Sequence, residues 1–278
     1  MPSFSDNSKQ GDGPRTSRDV SALAELALTM VAGEQFSPST PEFERTVRAL
    51  CESLVQPDEA RHRAQIDQLL RSGVSVDEVL GLYIPAAARL LGTDWVEDRL
   101  NWAAVTIGSA HLQRQVRRLS AHPLRDAPAT ETGQTVLLVT LEGDQHTLGA
   151  CLAADGMRQA GLRVQMAMGL SAEEVAAIAT ARPLSMIGLS LGSAKMQPEA
   201  ERLVAMLHGS MKERCPIVVG GAVASPDVNV KSLVGVDLIT SDMSEALEFC
   251  GLPTMSEMSS DPTKPLQSKA APTRGRPV

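Results

Sequence analysis

The sequence predicts an α/β chain in which an N-terminal helical bundle is followed by a five-stranded doubly wound parallel sheet. Three observations predict it. Apolar residues between positions 39 and 121 recur at helical spacing. A polar stretch with two prolines at 122–134 then breaks that pattern. From 135 onward short apolar runs alternate with helical segments, as βα units require. The 278 residues have room for two small domains, and a 43% hydrophobic content is ample for their cores.

Residues 1–38 lack a sustained apolar period apart from Val20 to Leu28, which suits one short helix, so most of this arm is expected to be disordered. The bundle follows at 39–121 with room for four helices. Phe43, Val47, Leu50, Cys51 and Leu54 form one apolar stripe, Ile66, Leu69 and Leu70 a second, and Val76, Val79, Leu80, Tyr83 and Ile84 a third. Starts are marked by Ser39-Thr40-Pro41-Glu42 and by Ser75 ahead of Asp77 and Glu78, where a hydroxyl caps orphan N–H groups. Stops are expected near Gly73 and Gly92. A last helix from about Arg99 to Leu119 turns Leu100, Ala104, Ile107, His111 and Leu112 inward and Arg114, Arg117 and Arg118 outward.

After the linker at 122–134, strands are expected at Thr135 to Leu141, Leu162 to Met168, Leu184 to Ser190, Ile217 to Val219 and Val236 to Thr240. The segments at 147–160, 171–181, 197–211 and 226–234 are long enough for crossovers, and Ser171-x-x-Glu174 is a capping box at the second. The sheet domain therefore occupies 135–251. The end, 252–278, has five prolines among Ser, Thr and Lys, and is expected to be a disordered tail.

Composition excludes several function classes. A net charge of −7 does not suit a broad basic surface for phosphate, so no direct contact with nucleic acid is expected and a protein partner is the better expectation. Cys51, Cys151, Cys215 and Cys250 include no CxxC pair, which signals neither zinc nor a disulfide framework. With neither a secretory signal nor a run of about 20 apolar residues, the expected place is the cytoplasm, without membrane contact.

Ligands of open parallel sheets bind beyond the carboxyl ends of the strands, which directs attention to three loops. The first is Glu142-Gly143-Asp144-Gln145-His146-Thr147-Leu148-Gly149, the second Ser190-Leu191-Gly192-Ser193, the third Gly220-Gly221-Ala222. Taken singly, a loop histidine is an ordinary surface residue and glycines after strands relieve crowding. A neutral imidazole is also a good ligand for a transition metal, and a carboxylate two residues away, Asp144, is placed to fix its tautomer.

Together the three loops resemble the cobalamin-binding domain of methionine synthase, the mutases and the light-responsive regulators, a flavodoxin-like domain with the pattern Asp-x-His-x-x-Gly, Ser-x-Leu and Gly-Gly. The matching residues are Asp144, His146, Gly149, Ser190, Gly220 and Gly221, within about 135–250. The resemblance implies that His146 ligates cobalt in place of the cofactor's own dimethylbenzimidazole, with Asp144 behind it. It implies that Gly149, Gly220 and Gly221 open a slot for the nucleotide tail and that Ser190 meets the displaced base. Gly192 stands where the family has Leu, implying a wider or more polar pocket. Some domains of this type in photosynthesis regulation are thought to hold haem, which is the alternative cofactor.

The helical part resembles the cap over the upper corrin face in methionine synthase and the light-dependent repressors, and the Leu91 to Gly108 stretch matches the place where that cap presents a tryptophan, here Trp95. The Glu-His pair of the light-dependent repressors is replaced by Val105 and Thr106, so their photochemical switch does not carry over directly. The run Trp95-Val-Glu-Asp-Arg-Leu most resembles the antirepressor family called PpaA or AerR. That resemblance implies a cobalamin-binding transcriptional regulator, not an enzyme, that answers light or redox state and acts on a DNA-binding repressor of photosystem genes of the PpsR/CrtJ type. The alternatives are a corrinoid protein carrying methyl groups between methyltransferases, a haem sensor on the same fold, and a sheet domain with no cofactor.

Overall fold

The computed structural model describes residues 40–125, 128–144, 146–211, 213–224 and 233–254. The expected arm at 1–38 with its short helix, most of the fourth crossover, and all of the tail beyond Thr254 lie outside the described residues.

Helix α1 spans Pro41–Leu54, and Thr40 caps it by accepting from the Phe43 amide, with Pro41 at its first turn. Helix α2 spans Glu59–Arg71 and is capped by Asp58. Ser75 and Glu78 form a reciprocal capping box at α3, Val76–Glu78. This helix runs on through a π turn at Val79–Tyr83 into α4, Ile84–Val96. Pro85 has no N–H to offer the carbonyl four residues back, which accounts for the widened turn. The stop expected at Gly92 does not occur. Gly92 is buried inside α4, and the helix continues because its apolar face extends to Leu91 and Trp95. Helix α5 spans Trp102–Ser120 and starts three residues later than expected, where Asn101 accepts from the Ala104 amide.

The inward face of α5 is also rotated from the expectation: Val105, Gly108, His111, Leu112, Gln115, Val116 and Leu119 are buried. Arg118, expected outward, is only 21% exposed and donates to Asp67 and Gln115. Gly108 lets α4 approach, since a Cβ there would fall 2.9 Å from Leu91 Cδ1.

The sheet is fully parallel, in the order β2-β1-β3-β4-β5. Its strands are β1 Thr135–Leu141, β2 Arg163–Leu170, β3 Met186–Ser190, β4 Ile217–Gly220 and β5 Leu238–Ile239. The crossovers are α6 Thr147–Gln159, α7 Ala172–Thr180 and α8 Gln197–Ser210, followed by a closing helix α9, Met243–Phe249. Alternate β1 residues serve two layers. Leu137, Val139 and Leu141 pack with Val175, Leu203 and Leu207 beneath α7 and α8. On the other face Val136 packs with Met157 and Leu247, and Leu138 with Ala150 and Ala154, beneath α6 and α9.

The helical part is docked on α6: Leu148 is buried in the same cluster as Leu50, Leu91 and Leu112, and Gln113 donates to Thr147. Residues between the two parts are pinned. Ala129 N–H donates to Gln159, and Thr132 N–H to Gly161. Arg125, only 5% exposed at its side chain, donates both Nη atoms to Asp155 on α6 at 2.7 Å and also pairs with Asp77 on α3. The expected tail boundary also moves: Leu252 and Thr254 are buried, at 4% and 0% exposure.

Candidate functional site: a cleft with an aspartate–histidine pair at its mouth

The chain leaves β1 toward β2 on one side and reaches β3 on the other, so the loops after β1 and β3 diverge and open a crevice at the carboxyl ends. Gly143 turns at φ +82°, and the next residue, Asp144, has a fully buried carboxylate. His146 immediately precedes α6 and is itself 9% exposed.

His146 Nδ1 donates to Asp144 Oδ1 at 2.7 Å, and the His146 amide donates to the same oxygen at 2.9 Å. The Gly192 amide donates to Oδ2 at 2.8 Å. Burial pushes the Asp144 carboxyl up, but the bonds from the His146 ring and from the Gly192 and His146 amides outweigh it, holding it below the ordinary carboxylate range. An ionised Asp144 keeps the ring proton on Nδ1, so Nε2 carries the lone pair that a metal requires.

His146 lines a cleft of about 530 Å³ that runs beside the sheet between α6 and α9. That volume suits a single nucleotide-sized group. On α6 the cleft is bordered by Gly149, Ala153 and Gly156, one small-residue stripe at helical spacing, and a Cβ on Gly149 would meet nothing within 4 Å. On the sheet side stand Gly188, Ser190, Gly220 and Gly221. Gly221 adopts φ +88°, and a Cβ there would fall 2.6 Å from the Leu191 carbonyl oxygen.

Of the residues expected from the sequence, His146, Gly149, Ser190, Gly220 and Gly221 therefore line one cleft, and Asp144 lies behind His146. Trp95 does not line it. It is 8% exposed and lies six residues past Arg89, the last α4 residue on the cleft, which turns it about 120° away from that side of the helix. His111 is equally remote: its Nδ1 donates to Leu54 O at 2.7 Å and its ring lies 4.5 Å from that of His62.

Sequence reasoning missed the wall supplied by the helical part, where Asp77, Gly81, Pro85 and Arg89 border the cleft, and it missed Asp242 and Met243 at the start of α9. The spacing of 81, 85 and 89 at four-residue intervals is a visible helical stripe, but nothing in it distinguishes a ligand wall from a solvated face.

The B12 binding domain family matches residues 134–248. A Rhodobacter capsulatus protein, described as an uncharacterized 20.5 kDa protein in the bchF-crtJ intergenic region, is 31% identical over 178 residues, which is 64% of this chain and 93% of that protein. The chain belongs to the B12-binding domain family. Among solved structures, a cobalamin-binding protein from Desulfitobacterium hafniense DCB-2 is similar at 16% identity and a TM-score of 0.39, covering 76% of this chain and 98% of that one. The methanol:cobalamin methyltransferase complex MtaBC from Methanosarcina barkeri is similar at 16% identity and a TM-score of 0.37, covering 80% of this chain and 90% of that one.

The cofactor is cobalamin, and the donors and the cleft fit it. Cobalamin can use a nitrogen ligand at its cobalt and a narrow trench for its nucleotide tail. His146 could offer the first, and the Gly149 to Gly156 stripe facing Gly188 and Gly220 could receive the second. Haem has no nucleotide tail, so such a trench has no use for it. Among the described residues no helix is long and apolar enough to cross a membrane.

Proposed function

We propose that this protein is a cobalamin-dependent transcriptional regulator rather than an enzyme. It would hold the cofactor's cobalt through His146 and act on a DNA-binding repressor of the PpsR/CrtJ type in response to light or redox state. The observation that carries the reading is the cleft with two owners: the sheet domain contributes the Asp144–His146 pair and the trench, while the helical part contributes a wall from α3 through the π turn to α4, with Asp77, Gly81 and Arg89. A ligand bound between two parts biases their arrangement by its differential contacts with each, which is what a sensor requires. Further support comes from the Rhodobacter relative, whose description puts it between bchF and crtJ.

Bound cobalamin would supply a cobalt centre sensitive to light and to redox state. The chain's own residues do the rest: His146 is oriented by Asp144, Ser190 would offer a hydroxyl to the cofactor's nucleotide tail, and α6 connects the trench to the bundle through Leu148.

The full chain loaded with cobalamin in the dark, and again after illumination, is mixed with a repressor of this type, and the repressor's hold on DNA is followed by mobility shift. The expected result is release of DNA in one cofactor state only. A repressor indifferent to the chain in every state sinks the proposal, and methylation of the bound corrinoid by a methyltransferase would transfer the assignment to a methyl carrier.

A further inference from the structure

Position 192 is where the pattern expected from sequence departs from the family, with glycine in place of Leu, and the structure gives a physical reason. A Cβ built on Gly192 would fall 2.1 Å from both Cγ and Nδ1 of His146 and 2.3 Å from its Cβ, separations that real carbon atoms do not show. The imidazole lies where a side chain at 192 would be. The same residue's amide donates to Asp144 Oδ2, while the ring and the His146 amide share Oδ1.

The seat is itself supported from below. Leu191 N–H donates to Gly220 O at 3.0 Å, and Gly221 passes so close to the Leu191 carbonyl that it too has no room for a side chain. Three loops are thus layered: the His146 ring on Gly192, and the 191–192 backbone on Gly221.

We propose that Gly192 is the positioning residue for His146: the space left by its missing side chain lodges the imidazole, and its amide anchors the carboxylate that fixes the ring's tautomer. A β-carbon at 192 would displace the ring and, with it, the hydrogen bond to Asp144. The ring is therefore lodged before the cofactor arrives, so binding does not have to order it. The inference rests on the reading of His146 as the cobalt ligand only for its consequence at the metal, since the seat itself belongs to the cofactor-free chain.

The test uses the full chain. In the wild type without cofactor, nuclear Overhauser contacts are expected between the His146 ring or β protons and the Gly192 α protons, together with ring nitrogen shifts of an Nδ1-protonated, hydrogen-bonded tautomer. In Gly192→Ala those shifts are lost, cobalamin binds at least tenfold more weakly, and what binds has the absorption spectrum of cobalamin with no protein nitrogen at its lower face. Gly209→Ala, an exposed helical glycine whose added carbon meets nothing within 4 Å, leaves all three readouts unchanged. Wild-type ring shifts or wild-type affinity in Gly192→Ala overturns the proposal. So does the absence of the contacts in the wild type, which decides the matter even if the variant does not fold. A wild-type chain that shows the contacts and the tautomer yet binds no cobalamin would leave the seat standing and refute His146 as ligand.

Discussion

Substitution at His146 should lower stability and cofactor ligation together, whereas substitution at Gly149 should separate the two. Removing the imidazole in His146→Ala takes one charge-assisted hydrogen bond from Asp144 but leaves the two backbone donors, so the cost in stability should be about 1.5–3 kcal/mol. The absorption spectrum of bound cobalamin should meanwhile lose the signature of a protein nitrogen ligand, and an unchanged spectrum would exclude His146 from the metal. Gly149 sits inside α6 with open space where its side chain would be. Gly149→Ala should stabilise the cofactor-free chain by up to about 1 kcal/mol through helix propensity. Gly149→Leu, which projects into the trench, should weaken cobalamin binding at least tenfold while the urea midpoint without cofactor hardly moves.

At the scale of elements, the bundle contains a buried pair of rings with an acid liability. His62 on α2 is buried, and its ring lies against that of His111. Burial, with His111 and Arg118 nearby, lowers its pKa from 6.5. The unfolded chain therefore takes up this proton at a higher pH than the folded one. The stabilising contribution is full above the unfolded value and is lost as pH falls from about 6.5 toward the folded value, by at most about 1.4 kcal/mol per pH unit. Urea unfolding between pH 7.5 and 5 should show this decline, and His62→Leu should flatten it while being neutral or stabilising by about 1 kcal/mol at pH 7. A decline unaltered by the substitution would place the titrating group elsewhere.

The same helices show what the sequence made legible. Thr40, Ser75 and Ser171 announced helix starts because a cap is a local hydrogen bond between residues two or three apart. The sheet was legible because each apolar run was followed by a segment long enough to cross over. Asp144, His146 and the glycines were legible because their spacing is local to loops. Gly92 misled because a glycine that stops an exposed helix is tolerated in one whose far end buries Trp95. Trp95 lies off the cleft because its direction depends on helix phase, which a motif does not encode. The wall of Gly81, Pro85 and Arg89 was hidden because a cleft between two parts is a property of their docking.

Taken whole, the molecule has a buried arginine bridging its two parts beside the apolar seam at Leu148. Arg125 joins Asp77 of the bundle to Asp155 of α6, and the Arg125 and Asp155 side chains are 5% and 10% exposed. Arg125→Gln strands Asp155 without its partner and should cost about 3–5 kcal/mol in chemical unfolding. A loss below about 1 kcal/mol would mean the pair is weak. Because both parts border the same cleft, cobalamin at a hundred times its dissociation constant should stabilise the chain by about 2.7 kcal/mol. Signals from Trp95 in the bundle and from the sheet's ellipticity should move together, and a shift confined to one of them would separate the two parts.

Helix α6 has a consequence for anyone dividing the chain. It covers one face of the sheet with Ala150, Ala154 and Met157, while on its other side Leu148 is buried among bundle residues, with Cys151 and Leu152 packed against them. Cutting at the polar stretch before β1 would strip that second side bare, so an isolated sheet half should carry a greasy stripe and clump or pair with itself, whatever its affinity for the vitamin.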